Sequence, residues 1–223
     1  MEKILLTELV QKIRESSTIS TASIPDMDLY MDQLLTFLNQ RLEASGAKPD
    51  AQTFTKTMIN NYTKDGLLLP PKNKKYSRQH ILLLILIHNL KGILSISDIK
   101  RLFEPILRDT ATSDDDLLPL EDIYSTYLDL TETYLTEFSG HFTKNLSFIS
   151  DKTKNLEGEE NVAAAKLFLS VLVLIAQANL SKKMAELIID SYFSSPAAGE
   201  SIPRIAYDID LDTLFGQPPK DPE

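Results

Sequence analysis

Lys56, Asn60 and Lys64 recur four residues apart, with Thr57 and Asn61 beside them. On a helix this spacing gathers five polar side chains on one face and leaves Met58, Ile59 and Tyr62 on the other. Thr55 stands where an N-cap is needed. Lysine supplies charge for phosphate oxygens, and the asparagine amide can pair with an adenine edge. No acid interrupts this face before Asp65. A second basic group follows, in which Lys72, Asn73, Lys74 and Lys75 form a loop without an apolar anchor. Tyr76 is placed to pin its end, Ser77 to cap the next helix and Arg78 to sit in that helix's first turn. The chemistry these residues suit is the grip of a polyanion. The plainer alternative is a solvated helix and a solvated turn.

The other side chains capable of chemistry do not assemble. His80 and His88 are about 80° apart on one helix, unlike an i, i+4 ligand pair. His141 stands alone beside Gly140. No Ser-His-Asp or Cys-His set, no glycine-rich phosphate loop and no paired-carboxylate motif is legible. Asp114-Asp115-Asp116 lacks the alternating spacing and late glutamate of a calcium loop and reads as a linker or a helix-start acid cluster. The expectation is a non-enzyme with no cofactor and no metal.

The chain has 223 residues, a net charge of −9 and no cysteine. The last excludes disulfides and thiolate metal sites and suits a reducing compartment. Its apolar opening is too short for a signal segment, and the charge-free run between Lys166 and Lys182 is shorter than the roughly 18–20 residues of a membrane span. A cytoplasmic protein without a membrane partner is expected. The acidity is uneven. Residues 51–108 hold ten Lys/Arg against three acids, a net of +7, so the remainder carries −16. A basic block in an acidic chain is the footprint of a polyanion site, or an accident of charge segregation.

The elements that must position the block are helical. Leu6, Leu9, Val10 and Ile13 mark a short helix at 2–14, and 16–23 reads as a loop. A helix over about 27–44 buries Met31, Leu34, Leu35 and Leu38, and Gly46 is its stop. Ile81 to Leu90 is apolar nearly all round and should be the centre of the unit, ending at Gly92. Ser95 and Ser97 offer caps for a helix at 98–107. After a polar linker, apolar spacing resumes at Leu120, with Gly140 a candidate break and Phe142, Leu146 and Ile149 a continuation. The row Tyr124, Tyr127, Tyr134, Phe138 and Phe142 reads as core, with a ligand pocket as the alternative. Val162 to Ala178 is apolar on most sides and is expected to be buried, as the spine of a second bundle or an oligomer interface. Asn179 to Ser181 reads as its break, before a segment carrying Met184, Leu187, Ile188 and Phe193.

The run Met58-Ile59-Asn60-Asn61-Tyr62-Thr63-Lys64-Asp65-Gly66-Leu67-Leu68 resembles the recognition helix and exit of the MerR family of bacterial regulators. Tyr76-Ser77 with Ile81, Leu84, Ile87, Leu90-Lys91, Ser95-Ile96 and Ile99-Lys100 resembles that family's wing closure and following helix pair. The whole also resembles an uncharacterised bacterial domain-of-unknown-function family that shares this head. The resemblance to MerR proteins covers about a quarter of the chain. Where that family usually has arginines on the recognition helix, this chain has Thr57 and Asn60, and its wing is shorter and holds lysines.

The resemblance implies an all-α fold, a MerR-like winged helix-turn-helix head followed by a helical bundle or dimerisation region. The expected divisions are 1–23 (N-terminal helix and loop), 24–108 (head), 117–194 (C-terminal helices) and 195–223 (acidic extended tail). It implies a transcriptional regulator that binds double-stranded DNA as a homodimer through its C-terminal helices, with any small-molecule effector unspecified. The expected DNA-facing residues are Thr55, Lys56, Thr57, Asn60, Asn61, Lys64, Lys72, Lys74, Lys75, Tyr76 and Arg78. The alternative is a helical protein-interaction module that kept the head's fold without binding DNA.

Overall fold

The computed structural model describes residues 8, 11–13, 19–43, 53–109 and 119–193. The stop at Gly46, most of the 2–14 helix, the 110–118 linker with its three aspartates, and the 195–223 tail lie outside the described residues.

Helix α3 (Arg78–Leu90) is the axis of the fold. Ser77 opens it, its amide donating to His80 Nδ1 at 3.0 Å. Every residue from His80 to Ile87 is buried, so the helix has no solvent face and must be enclosed on all sides. Helix α1 (Met31–Glu43) brings Leu34, Leu38 and Leu42 to it, and α2 (Lys56–Lys64) brings Ile59 and Tyr62. Helix α4 (Ile96–Asp109) adds Ile99 and Phe103, and the start of α5 (Leu120–Thr153) adds Leu120 and Tyr124. All join one core.

Two short strands complete the head. β1 (Leu29–Tyr30) precedes α1 and pairs antiparallel with β2 (Lys75–Tyr76), Leu29 opposite Tyr76 and Tyr30 opposite Lys75. The sequence pattern suggests no strand before α1. Leu29 is buried and Tyr30 exposed, but an alternation two residues long is too brief to read.

α5 and α6 (Glu159–Tyr192) form a long helical hairpin joined through Gly158, whose φ of 87° favours a residue without a Cβ. Both expected breaks are corrected. α5 runs through Gly140 and α6 through Asn179–Ser181, because the flanking apolar spacing outweighs one glycine or a short polar stretch. Within one chain, α6 is not buried as a bundle spine would be. Leu167 is 71% exposed and Phe168 65%, and Val171, Leu172, Ile175, Leu180, Met184 and Leu187 are exposed as well. The apolar periodicity is real, but among the described residues the main cover of the helix comes from α5 and from the C-terminal contact with α4. By length and composition α6 could also cross a membrane.

Arg78 and Tyr124 fasten these layers. Arg78 donates to the Ile24 carbonyl (Nη1, 2.6 Å) and the Thr21 carbonyl (Nη2, 2.9 Å), and pairs with Asp26 (2.9 Å) and Glu121 (Nε, 2.6 Å). The Tyr124 hydroxyl donates to the Ile19 carbonyl at 2.6 Å, and burial pushes its pKa up to about 12. On α4, Arg101 bridges Asp98 to Asp190 of α6.

The two carboxylate partners of Arg78 are solvated and contribute little, so the carbonyl bonds dominate. Arg78→Ala is expected to destabilise the chain by about 2–3 kcal/mol in urea unfolding, on the scale of charge-assisted hydrogen bonds. Arg78→Lys should recover little, because an ammonium cannot reproduce the planar fork. A midpoint unchanged in both variants would contradict the staple.

Candidate functional site

Helix α2 is set by its two ends. At its start the Thr55 hydroxyl accepts from the Met58 amide at 3.2 Å. Just before it, Phe54 is fully buried and its backbone is held on both sides by Asn39 of α1. The Phe54 amide donates to Asn39 Oδ1 at 2.9 Å, and Asn39 Nδ2 donates to the Phe54 carbonyl at 3.1 Å. Lys91 adds a bond to the Thr53 carbonyl at 3.1 Å, with its amine 4.9 Å above the Phe54 ring. At the other end Gly66, with a φ of 72°, closes a Schellman turn: Leu67 N donates to the Tyr62 carbonyl and Gly66 N to the Thr63 carbonyl. Leu67 and Leu68 then dive into the core.

Fixed in this way, α2 turns Ile59 and Tyr62 inward and leaves Lys56, Thr57, Asn60, Asn61 and Lys64 exposed. Lys100 of α4 joins them. Its amine lies 4.0 Å from where a Cβ on Gly66 would stand, so a third lysine flanks the C-terminal end of this face. Among the described residues, no ion pair engages these three lysines.

The basic loop is a tight hairpin. Lys75 N donates to the Lys72 carbonyl at 3.0 Å, and the two intervening residues, Asn73 and Lys74, have φ of 53° and 61°. Positive φ at both central positions is the type I′ geometry that matches strand twist and favours Asn-Gly. Asparagine is present and glycine is replaced by lysine. Lys72, Asn73 and Lys74 are all exposed. Lys72 follows Lys64 by eight positions, so the two basic groups lie within about 28 Å along the backbone.

Four of the expected contact residues have other duties. Thr55 spends its hydroxyl on the cap. Tyr76 is buried and packs edge-on against His80 at 5.4 Å, and burial raises its pKa. Arg78 is turned into the protein. Lys75 is half-buried, its amine 5.2 Å over the Tyr30 ring. Arg78 and Tyr76 are therefore corrections: the first turn of α3 is claimed by carbonyls of the N-terminal segment, and Tyr76 by its pairing with Leu29. The exposed set is Lys56, Thr57, Asn60, Asn61 and Lys64 on α2, Lys72 and Lys74 on the hairpin, and the newly placed Lys100. Asn39 and Lys91 position the face without belonging to it, and nothing in their spacing announces that role.

Residues 19–127 match the family model described as Domain of unknown function (DUF1836). That segment begins at the N-terminal strap held by Arg78 and ends just after Tyr124, so it covers the head and the first turns of α5. No curated protein and no solved structure matches the chain.

The two histidines of α3 give the head a pH response. Burial lowers the pKa of His80, against the pull of the Pro70 and Leu69 carbonyls and Asp28. Burial and then the nearby Lys91 charge lower that of His88. The unfolded chain thus takes up protons that the folded chain resists. The resulting stability is complete above about pH 6.5, the unfolded value, and is lost as pH falls below it, by up to about 1.4 kcal/mol per pH unit per histidine. Urea midpoints should drop between pH 7 and pH 5, and His80→Gln should flatten that slope. Equal slopes in wild type and variant would remove His80 from the account.

Proposed function

We propose that the chain is a DNA-binding transcriptional regulator in which α2 enters the major groove and the Lys72–Lys75 hairpin acts as a short wing on the phosphate backbone. The order of elements supports this: a strand, two helices of which the second has a polar face, a turn hairpin paired back to the first strand, and a helix pair. Such an order matches a winged helix-turn-helix head. Asn60 and Asn61 are the candidate base readers, while Lys56, Lys64, Lys72, Lys74 and Lys100 neutralise phosphates.

The observation that carries the reading is Lys74. A side chain at a φ of 61° costs roughly 1–2 kcal/mol that glycine would avoid. Strain of this kind persists where the side chain is needed. At the tip of an exposed hairpin the need is a cation facing outward.

A single small head binds weakly, so two copies are expected. The exposed residues Leu167, Phe168, Val171, Leu172 and Ile175 fall within about 140° of arc on α6. A second copy covers that stripe in this reading, and the protein works in the cytoplasm. A bilayer would have to take in α5 as well, whose Glu132, Glu137 and Lys144 are exposed beside it. The alternative function, a protein-interaction module, draws on the absence of arginine from α2 and on the acidic remainder of the chain.

On a mixed-sequence duplex at low salt, the wild type should bind, with log K falling linearly against log salt. Lys72/Lys74/Lys75→Glu should abolish binding. Lys74→Gly should raise stability by about 1 kcal/mol yet weaken binding and reduce the salt slope by about one unit. Absence of binding by the wild type at low salt would sink the regulator and leave the interaction module. For the dimer, light scattering after gel filtration should give twice the chain mass for the wild type and the monomer mass for Val171→Glu/Ile175→Glu. A monomeric wild type would refute the pairing.

A further inference from the structure

A cavity of about 460 Å³ lies where the head meets the hairpin. Leu90 of α3 and Leu94 of the turn before α4 supply one side. Phe138 of α5 and Leu174, Ala178 and Lys182 of α6 supply the other. The space is a cleft open to solvent on one side, with Tyr134 and Ile93 exposed at its rim, and its volume falls in the range of about 300 to 1,000 Å³ typical of ligand pockets. The void has a visible origin. The side α6 presents to this space is small, since Ala178, Ser181 and Ala185 line it. Ala178 and Ala185, about two helical turns apart, leave room that larger residues would fill.

We infer that this cavity binds a small amphipathic carboxylic acid, with an apolar body of about ten carbons between the helices and the carboxylate at Lys182. The walls are mostly aliphatic and aromatic, which suits an alkyl or aryl body and no sugar or nucleotide. Lys182 is the charged residue among the described lining residues, so the charge it would recognise is negative. Its amine stands 3.8 Å from Glu186, the loose limit of an ion pair, and the side chain is half-exposed, so it can be recruited. Gln177 adds an amide group of the kind that orients a carboxylate, while the Asn89 amide donates to the Tyr127 hydroxyl at 3.4 Å. Because the lining comes from α3, α5 and α6 together, an occupant would tie the hairpin to the head. The site stands whether or not α2 binds DNA, and its test reads only the ligand.

The test is calorimetric titration of the full chain with decanoate and, separately, with the uncharged 1-decanol. One decanoate per chain is expected. Ala178→Phe, which fills the cavity, should weaken decanoate at least tenfold. Lys182→Met, at a solvated position that folding tolerates, should weaken decanoate about tenfold and leave decanol within twofold. Val171→Glu, on the outer stripe of α6, should leave decanoate unchanged. Three results would each overturn the assignment: no saturable binding, a loss in Val171→Glu but not in Ala178→Phe, or Lys182→Met affecting both ligands equally or neither.

Discussion

Helix α3 cannot show a face to water, and the head is the solution to that constraint. Its buried run from His80 to Ile87 leaves no direction in which solvent is tolerable. Four helices and the β1–β2 pair must therefore surround it, and each is held at the angle where its own apolar stripe meets α3. The polar face of α2 is exposed as a consequence, since once Ile59 and Tyr62 are committed inward, Lys56, Asn60 and Lys64 have nowhere else to point. The exposure of the basic face is thus a by-product of burying α3, and the site is as rigid as the core behind it.

What the sequence makes legible is what local physics decides. The Thr55 and Ser77 starts, the Gly66 exit, the centrality of Ile81–Ile87 and the outward face of α2 all follow from spacing and capping within a few residues, and the structure carries each of them. Arg78 and Tyr76 are different. Whether a basic or aromatic residue at the end of a basic loop faces outward depends on what lies opposite, and here it is the strap of residues 19–26 and the strand at Leu29, some fifty residues earlier in the chain. The Asn39–Phe54 clamp and the approach of Lys100 to Gly66 are long-range in the same sense. A single sequence contains those residues but not their meeting.

α6 poses the complementary problem. Its composition resembles that of α3, and periodicity alone assigns both to a core, yet α3 is enclosed and α6 is largely bare. The difference lies in supply. The head provides partners on every side of α3, whereas among the described residues α6 is covered mainly by α5 along its length and α4 at its end. An apolar surface of this extent, over a helix of 34 residues or about 51 Å, is larger than soluble chains ordinarily leave uncovered. Hydrophobic patterning reports that a surface is to be buried and is silent on whether the cover belongs to the same molecule.

The two ends of α6 differ in how they meet their surroundings. Over Leu167 to Ile175 the exposed residues are large and form an outward stripe suited to another helix. Near Ala178 and Ala185 the inward side is small and the neighbouring head does not fill the space. Leucines in place of both alanines would narrow this cleft, at a junction where Ile189 already packs into the core of the head. The hairpin is tied to the head by packing at Tyr124 and Ile189 and by the Arg101–Asp190 ion pair, and the cleft beside Ala178 is the space those contacts leave open.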